Sequence, residues 1–146
     1  MDYYVDTCIW LNLFKKEGDP TKGKPYWQMA EEFLKKAILT ENCHVFYSAI
    51  VLRELQLKLS KEEFELKERQ MKAEPKFIEI DALTSDKIET RKLESHYDFQ
   101  ISYYDLLHLT IAKRLNAVLI TRDKQLIYAA QEQSIIARKP EDITNY

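Results

Sequence analysis

The sequence predicts an α/β fold in which a mostly parallel sheet of about five strands is covered by helices. The chain has 146 residues but only two glycines and four prolines, too few turn-forming residues for an all-β sandwich. Short β-rich segments alternate with longer segments of helical periodicity along the chain. Because this alternation requires crossover connections, we expect parallel strands in one domain that spans residues 1–146.

Five short segments rich in β-branched and aromatic residues predict the strands. They are residues 3–5, 44–48, 77–80, 117–121 and 134–137. Six segments have apolar residues at helical spacing, and each predicts one helix. They are residues 8–16, 25–39, 49 to about 72, 83–97, 104–115 and 124–133. The third predicted helix is long, and a charged segment over residues 61–74 extends it. This segment is mixed in sign, which is typical of a solvated helix face.

The overall charge gives no sign of a basic nucleic-acid-binding domain. The chain carries 22 basic and 24 acidic residues, a net charge of −2. A nucleic acid would have to be bound locally or through a cation, because contacts to phosphate dominate such affinity. The two cysteines, Cys8 and Cys43, lack the spacing of a zinc site or a disulfide framework. The acidic N-terminus and the lack of a long apolar run predict a cytoplasmic protein without a membrane span.

Two aspartates follow predicted strands. Asp6 lies in the apolar stretch YYVDTCIWLNLF directly after the first strand, and Asp123 follows the strand over residues 117–121. An ionised aspartate is rarely buried without a partner, so Asp6 requires compensation. In parallel sheets, ligands bind outside the carboxyl ends of the strands. We therefore expect both aspartates at one edge of the sheet.

Two further carboxylates come from predicted helices. Glu54 lies among the apolar residues of a helix that Ser48 can cap, and Asp105 begins the helix over residues 104–115. If these side chains converge with Asp6 and Asp123, four like charges would repel one another strongly. A hard divalent cation relieves that repulsion, and such a site can bind a phosphodiester and orient a water molecule for its hydrolysis.

The ordered set of these motifs resembles the PIN-domain ribonucleases, especially the toxin subunits of type II, VapBC-like toxin–antitoxin pairs. The resemblance spans essentially the whole chain. It rests on VDT at residues 5–7, SAIVLREL around Glu54, SYYDLLHLTIAKRLNAVLITRDKQL with Asp105 and Asp123, and SIIARKPEDI near the C-terminus.

The resemblance implies a role for specific residues. Asp6, Glu54, Asp105 and Asp123 match the family's catalytic, metal-binding acidic quartet, and Thr121 matches the hydroxyl position before the last aspartate. It also implies a three-layer α/β/α sandwich, RNA cleavage that depends on Mg²⁺ or Mn²⁺, a homodimer, and inhibition by a small antitoxin protein.

Each of these residues also has an ordinary structural explanation. Asp6 can cap a helix, Glu54 can be solvated, and Asp105 can interact favourably with a helix dipole. Asp123 is a common turn residue and Thr121 a common strand residue.

The charged and histidine residues beside the quartet have similar default interpretations. We interpret His108, three residues after Asp105, as a packing or surface residue. Arg53, Arg122 and Lys124 flank the quartet and could contact RNA phosphates, but a plain surface charge is the default for each.

Other classes of function stay open. The same fold could serve as a non-catalytic module that binds RNA or protein, although four acidic positions favour the enzyme. A phosphoacceptor domain also places an aspartate at a strand end, but the residues around Asp6 and Asp81 lack its other features. A DNA nuclease is a further alternative, because only contacts to the 2′-hydroxyl distinguish the two sugars.

Overall fold

The computed structural model describes residues 1–143, and these contain one sheet of five strands. The strands are β1 (Tyr3–Val5), β2 (Val45–Ser48), β3 (Phe77–Ile80), β4 (Val118–Ile120) and β5 (Ala137–Arg138). Their order in the sheet is β3-β2-β1-β4-β5, and every neighbouring pair is parallel. The predicted parallel α/β fold is therefore confirmed.

In the part of the chain that the structure describes, seven α-helices connect the strands. They are α1 (Thr7–Phe14), α2 (Tyr26–Leu39), α3 (Ala49–Lys58), α4 (Lys61–Ala73), α5 (Thr84–His96), α6 (Tyr103–Arg114) and α7 (Lys124–Glu132). Two short 3₁₀ turns lie at Pro20–Lys22 and Pro140–Asp142. No helix within residues 1–143 is both long and apolar enough to cross a membrane.

The two faces of the sheet pack against separate sets of helices. Successive side chains of a strand point to opposite faces, so Tyr3 and Val5 join one buried cluster while Tyr4 joins the other. The first cluster includes buried residues of α1 to α4, and the second includes those of α5 to α7. The result is the three-layer α/β/α sandwich that the resemblance implies.

The prediction of one helix from residue 49 to about residue 72 is wrong, because this segment forms two helices. The backbone at Leu59 is extended, and the hydroxyl of Ser60 accepts a hydrogen bond of 3.2 Å from the backbone N–H of Glu63. Ser60 and Glu63 have the spacing of a helix N-terminus, which the continuous charge pattern obscured. The charged segment is therefore a separate helix, α4, and does not extend the helix that carries Glu54.

The fifth strand lies later in the chain than the predicted segment 134–137. Ser134 has a positive φ of 59°, and the backbone N–H of Ile135 donates to the carbonyl of Ala130 at 2.8 Å. The first residues of the predicted strand therefore complete the end of α7. Pairing with β4 begins only at Ala137.

The central strands β1 and β4 determine the position of the site. The chain order reverses beside β1, because β2 pairs with one of its edges and β4 with the other. The carboxyl ends of two such strands border a crevice between the connections that leave them in opposite directions. Asp6 directly follows β1, and Asp123 lies three residues after the end of β4.

Candidate active site

The four carboxylates line one pocket. Asp6, Glu54, Asp105 and Asp123 surround a cavity of about 440 Å³, together with Thr7, Cys8, Leu11, Lys58 and Arg122. These acidic residues are widely separated in the sequence and come from the starts of α1, α6 and α7 and from the middle of α3. The parallel sheet and its helices therefore bring all four together.

Asp6 is buried, and both of its carboxylate oxygens accept hydrogen bonds. It is 5% exposed, and its Oδ1 accepts the backbone N–H of Thr7 at 2.7 Å, which caps α1. Its Oδ2 accepts the hydroxyl of Thr121 at 2.8 Å and the thiol of Cys8 at 3.3 Å. Burial and the nearby charge of Asp6 raise the pKa of the Cys8 thiol, so that it keeps the proton it donates. Asp6 thus has both the predicted place in the pocket and a capping role.

Thr121 lies behind the pocket and is not part of its lining. The residue is fully buried, and its hydroxyl also accepts the backbone N–H of Asp123 at 3.1 Å. A single hydroxyl therefore joins Asp6 to the turn that carries Asp123. This contact makes Thr121 a positioning residue for two carboxylates.

Asp123 and Asp105 combine structural roles with a place in the pocket. Oδ1 of Asp123 caps α7 by accepting the backbone N–H groups of Gln125 and Leu126 at 2.9 and 3.2 Å. Asp105 lies in the first turn of α6, and its backbone N–H donates to the Ser102 hydroxyl at 3.2 Å. The structural explanations for both aspartates hold, and they do not compete with the functional one.

Glu54 has one bound oxygen and one oxygen without a protein donor. Its Oε1 lies 2.8 Å from Nε2 of His108 and accepts the Thr7 hydroxyl at 2.9 Å. Within residues 1–143, no hydrogen bond reaches Oε2. Burial alone would raise the pKa of Glu54, but the hydrogen bonds and positive charge around it outweigh burial and lower that pKa. Glu54 is therefore an ionised carboxylate that the protein holds through one oxygen, Oε1.

The interpretation of His108 as a packing or surface residue misses its polar contacts. The residue is fully buried, and its Nδ1 lies 2.6 Å from the hydroxyl of Tyr4, which donates to Ser48 at 2.8 Å. Ser48 occupies the N-cap position of α3, but its side chain makes no capping hydrogen bond. A usable signal was present in the sequence, since a polar ring within the apolar run of α6 requires a buried partner.

The pocket concentrates negative charge. Burial raises the pKa of Asp105, and the nearby charges of Asp6 and Asp123 raise it further. Among the described residues, no lysine or arginine lies within 4.0 Å of the carboxylates of Asp105 or Asp123 in a salt bridge. A positive partner for the pocket's third aspartate is the ring of His108, whose Nε2 lies 3.6 Å from Oδ1 of Asp6.

The donor set suits a hard divalent cation. The pocket offers carboxylate oxygens and one hydroxyl, and Mg²⁺ and Mn²⁺ prefer oxygen ligands. In residues 1–143, no group of three or more His, Cys, Asp or Glu side chains is placed to hold a metal ion together. Mg²⁺ commonly uses only one or two protein carboxylates and takes its other ligands from water and substrate phosphate. An open set of this kind therefore fits such an ion.

Within residues 1–143, two cations border the pocket, and one of them, Lys58, makes no salt bridge or side-chain hydrogen bond there. Arg122 donates to Asn12 at 2.9 Å and to Glu141 at 2.8 Å, and its guanidinium lies 4.2 Å from the ring centroid of Tyr26. These contacts link α1, α2 and the C-terminal 3₁₀ turn, and the Arg122 side chain is only 13% exposed. Lys58 lies one turn after Glu54 on α3 and is exposed. Lys58, which the sequence did not suggest, is the cation that a ligand can reach.

Together, the fold and the pocket define a class of protein: a parallel α/β domain that carries an acidic pocket at the carboxyl ends of its central strands. The family model for the PIN domain matches residues 3–132. The chain therefore belongs to the PIN domain family. No curated protein sequence matches the chain.

Solved structures share this fold at low sequence identity. A chain in the crystal structure of VapBC2 from Rickettsia felis bound to a DNA fragment from its promoter has a TM-score of 0.68 and 22% identity, with 95% of this chain and 98% of that chain covered. A chain of a toxin–antitoxin complex from Klebsiella pneumoniae has a TM-score of 0.64 and 18% identity, with coverage of 97% and 99%. FitAcB from Neisseria gonorrhoeae gives 0.61 and 17%, also with coverage of 97% and 99%. These similarities extend over nearly the whole fold.

Proposed function

We propose that the protein is an endoribonuclease that hydrolyses RNA phosphodiesters with Mg²⁺ or Mn²⁺, and that it acts as a toxin inhibited by a cognate antitoxin. The observation that carries the proposal is the convergence of Asp6, Glu54, Asp105 and Asp123 on one pocket in a PIN domain. Within residues 1–143, the aspartates of this pocket have no lysine or arginine partner in a salt bridge, which favours a bound cation over a purely structural cluster.

The proposed chemistry assigns roles to the chain's own groups. Asp6, Asp105, Asp123 and the free oxygen of Glu54 would hold one or two ions. Such an ion supplies positive charge to the phosphate and makes a bound water more acidic. Thr121 keeps Asp6 and the Asp123 turn in register, and the hydrogen bonds to Oε1 of Glu54 keep that carboxylate ionised. Lys58 at the entrance would bind a phosphate of the RNA.

Partner proteins are part of the proposal. One of the similar structures is described as a toxin–antitoxin complex, which supports an antitoxin partner for this chain. We also propose a cytoplasmic homodimer, as the family resemblance implies. Light scattering on the purified protein, alone and after co-expression with a candidate antitoxin, measures both associations.

Cleavage of a panel of single-stranded and structured RNAs tests the nuclease. The wild type is compared with the Asp6→Asn, Asp105→Asn and Asp142→Asn variants, each purified identically and assayed with Mg²⁺, Mn²⁺ or EDTA. Asp142 is exposed in the C-terminal 3₁₀ turn and does not line the pocket, so its variant is the matched control.

We expect metal-dependent cleavage by the wild type and the control, and its loss in the two pocket variants. Equal cleavage by all four proteins would identify a contaminant. Folded wild-type protein that binds RNA without cleaving any member of the panel would instead favour a non-catalytic binding module.

A further inference from the structure

A buried histidine behind the acidic pocket has polar contacts on both sides of its ring. His108 is fully buried, with Nε2 at 2.8 Å from Oε1 of Glu54 and Nδ1 at 2.6 Å from the Tyr4 hydroxyl. The Tyr4 hydroxyl is in turn 2.8 Å from Oγ of Ser48. These distances form a continuous chain of hydrogen bonds from the centre of the sheet to the pocket.

The hydrogen-bond chain makes Nε2 of the ring a donor. The Tyr4 hydroxyl donates to Ser48, so its contact of 2.6 Å with Nδ1 requires Nδ1 to donate. Nε2 faces the ionised carboxylate of Glu54, which only accepts, so Nε2 donates as well. If the Tyr4 hydroxyl turned toward Nδ1, the neutral ring would still carry its proton on Nε2. The contact to Glu54 is therefore the same in either orientation of the Tyr4 hydroxyl.

This contact restricts how Glu54 can point. A glutamate side chain has many rotamers, and fixing one of them costs conformational entropy. Two donors from different helices, His108 on α6 and Thr7 on α1, converge on the same oxygen, Oε1. With Oε1 held behind the pocket, Oε2 is the oxygen left for the cavity that Glu54 lines.

We propose that His108 is a positioning residue for the nuclease site, which holds Oε1 of Glu54 so that Oε2 faces the pocket, while Tyr4 and Ser48 fix the ring from behind. The proposal rests on the proposed function for its catalytic consequence. The orientation of Glu54 itself is independent of catalysis and can be measured in the protein without metal.

Two conservative variants separate the two contacts of the ring. His108→Gln places an amide nitrogen near the position of Nε2 and keeps the donor to Glu54. His108→Asn places its amide nitrogen near the position of Nδ1, so it keeps the contact to Tyr4 and loses the contact to Glu54. Each variant loses one hydrogen bond, so their stabilities are matched more closely than either is to His108→Leu.

We expect kcat to fall at least about tenfold in His108→Asn and less than about threefold in His108→Gln, with little change in KM, since positioning acts on the transition state. In a Glu54→Gln background, His108→Asn should cause little further loss, because residues that act as one unit are not additive. His96→Gln, an exposed change at the end of α5, is the control and should match the wild type.

A spectroscopic measurement tests the contact without catalysis. In EDTA-treated protein with ¹⁵N-labelled histidine, the Nε2–H proton of His108 should give a slowly exchanging, downfield NMR signal. Glu54→Gln should move this signal upfield, because a neutral acceptor forms a weaker hydrogen bond than a carboxylate. The signals of His44 and His96 should not move.

The outcomes distinguish this proposal from the proposed function. Three outcomes would each overturn the positioning role while leaving the nuclease intact. They are equal kcat in His108→Asn and wild type, additive losses when His108→Asn is combined with Glu54→Gln, and an Nε2–H signal that does not move in Glu54→Gln. Absence of cleavage by the wild type would remove the proposed function, and the NMR signal would still decide whether His108 holds Glu54.

Discussion

Two acidic regions of this protein are compensated in opposite ways. Asp86, on α5, is 3% exposed, and both of its carboxylate oxygens accept Nε of Arg114 at 3.0 Å. The pocket at the strand ends gathers four carboxylates, yet within residues 1–143 its only buried positive partner is the ring of His108. The chain supplies an arginine to the acid that lies away from the pocket. At the pocket, the proposed cation would neutralise the remaining charge.

The largest expected effect separates activity from stability at Asp105. Asp105→Asn should reduce cleavage at least about a hundredfold, because it removes one oxygen ligand of the proposed cation. Its free energy of unfolding without metal should stay the same or rise slightly, since the change removes repulsion from Asp6 and Asp123. Cleavage rates and urea unfolding in EDTA measure the two quantities. A clear loss of stability would place Asp105 in the same class as Asp86.

Asp86→Asn should show the reverse behaviour. It leaves Arg114 without its carboxylate partner and should lower the free energy of unfolding by roughly 2–4 kcal/mol, at the lower end because the Arg114 side chain is 29% exposed. Cleavage per folded molecule should not change. Urea unfolding and cleavage at a temperature well below the transition measure both, and a selective loss of activity would contradict the distinction between the two regions.

The pH dependence of stability should sharpen the comparison at Glu54. The pKa of Glu54 is lowered, so its contribution to stability is present above its ordinary value of 4.5 and is lost as pH falls through the lowered value. The pKa of His108 is raised because its hydrogen bond to Glu54 and the nearby carboxylates outweigh burial, so its contribution is present below 6.5 and is lost as pH rises through the raised value.

Glu54→Gln should therefore lower stability most between these two pKa values, by about 1 kcal/mol after allowance for solvent screening. Unfolding of wild type and variant in EDTA from pH 3 to pH 9 checks this, roughly spanning both titrations. A difference independent of pH would show that the pair is not ionised.

The smallest expected effect concerns Lys58, the exposed cation beside the pocket. Lys58→Ala should raise KM for RNA by about three- to tenfold with little change in kcat, because an exposed lysine contributes one phosphate contact that salt screens. Lys58→Arg should retain most of the binding. Lys87→Ala, an exposed change on α5, is the control. A loss of kcat in Lys58→Ala would give Lys58 a role at the reacting phosphate.

The sequence allowed much of the fold and the acidic edge to be predicted, for a local reason. Asp6 directly follows one short apolar strand and Asp123 lies three residues after another, and parallel pairing brings such positions together without any knowledge of packing. The break at Leu59 was missed because the charge pattern runs across it, although Ser60 carried a capping signal.

The contacts behind the pocket depend on long-range packing. His108 meets Glu54 and Tyr4 only when α6, α3 and β1 pack together, and these residues are 54 and 104 positions apart in the sequence. No periodicity encodes such a meeting. The apolar sequence of α6 could have indicated that His108 needs buried polar partners, but it could not have identified those partners.

The position of β1 at the centre of the sheet has a consequence for the timing of synthesis. Strand β1 is translated before the other four strands of this sheet, and it pairs on one side with β2 and on the other with β4, in the register Tyr3 with Val118. Such pairings of distant segments form late and slowly during folding. Because Asp123 lies beyond β4, the pocket cannot form until the chain has been translated past that residue. A nascent chain that stops before β4 would therefore lack the complete acidic pocket, and the proposed nuclease activity would arise only after Asp123 has been made.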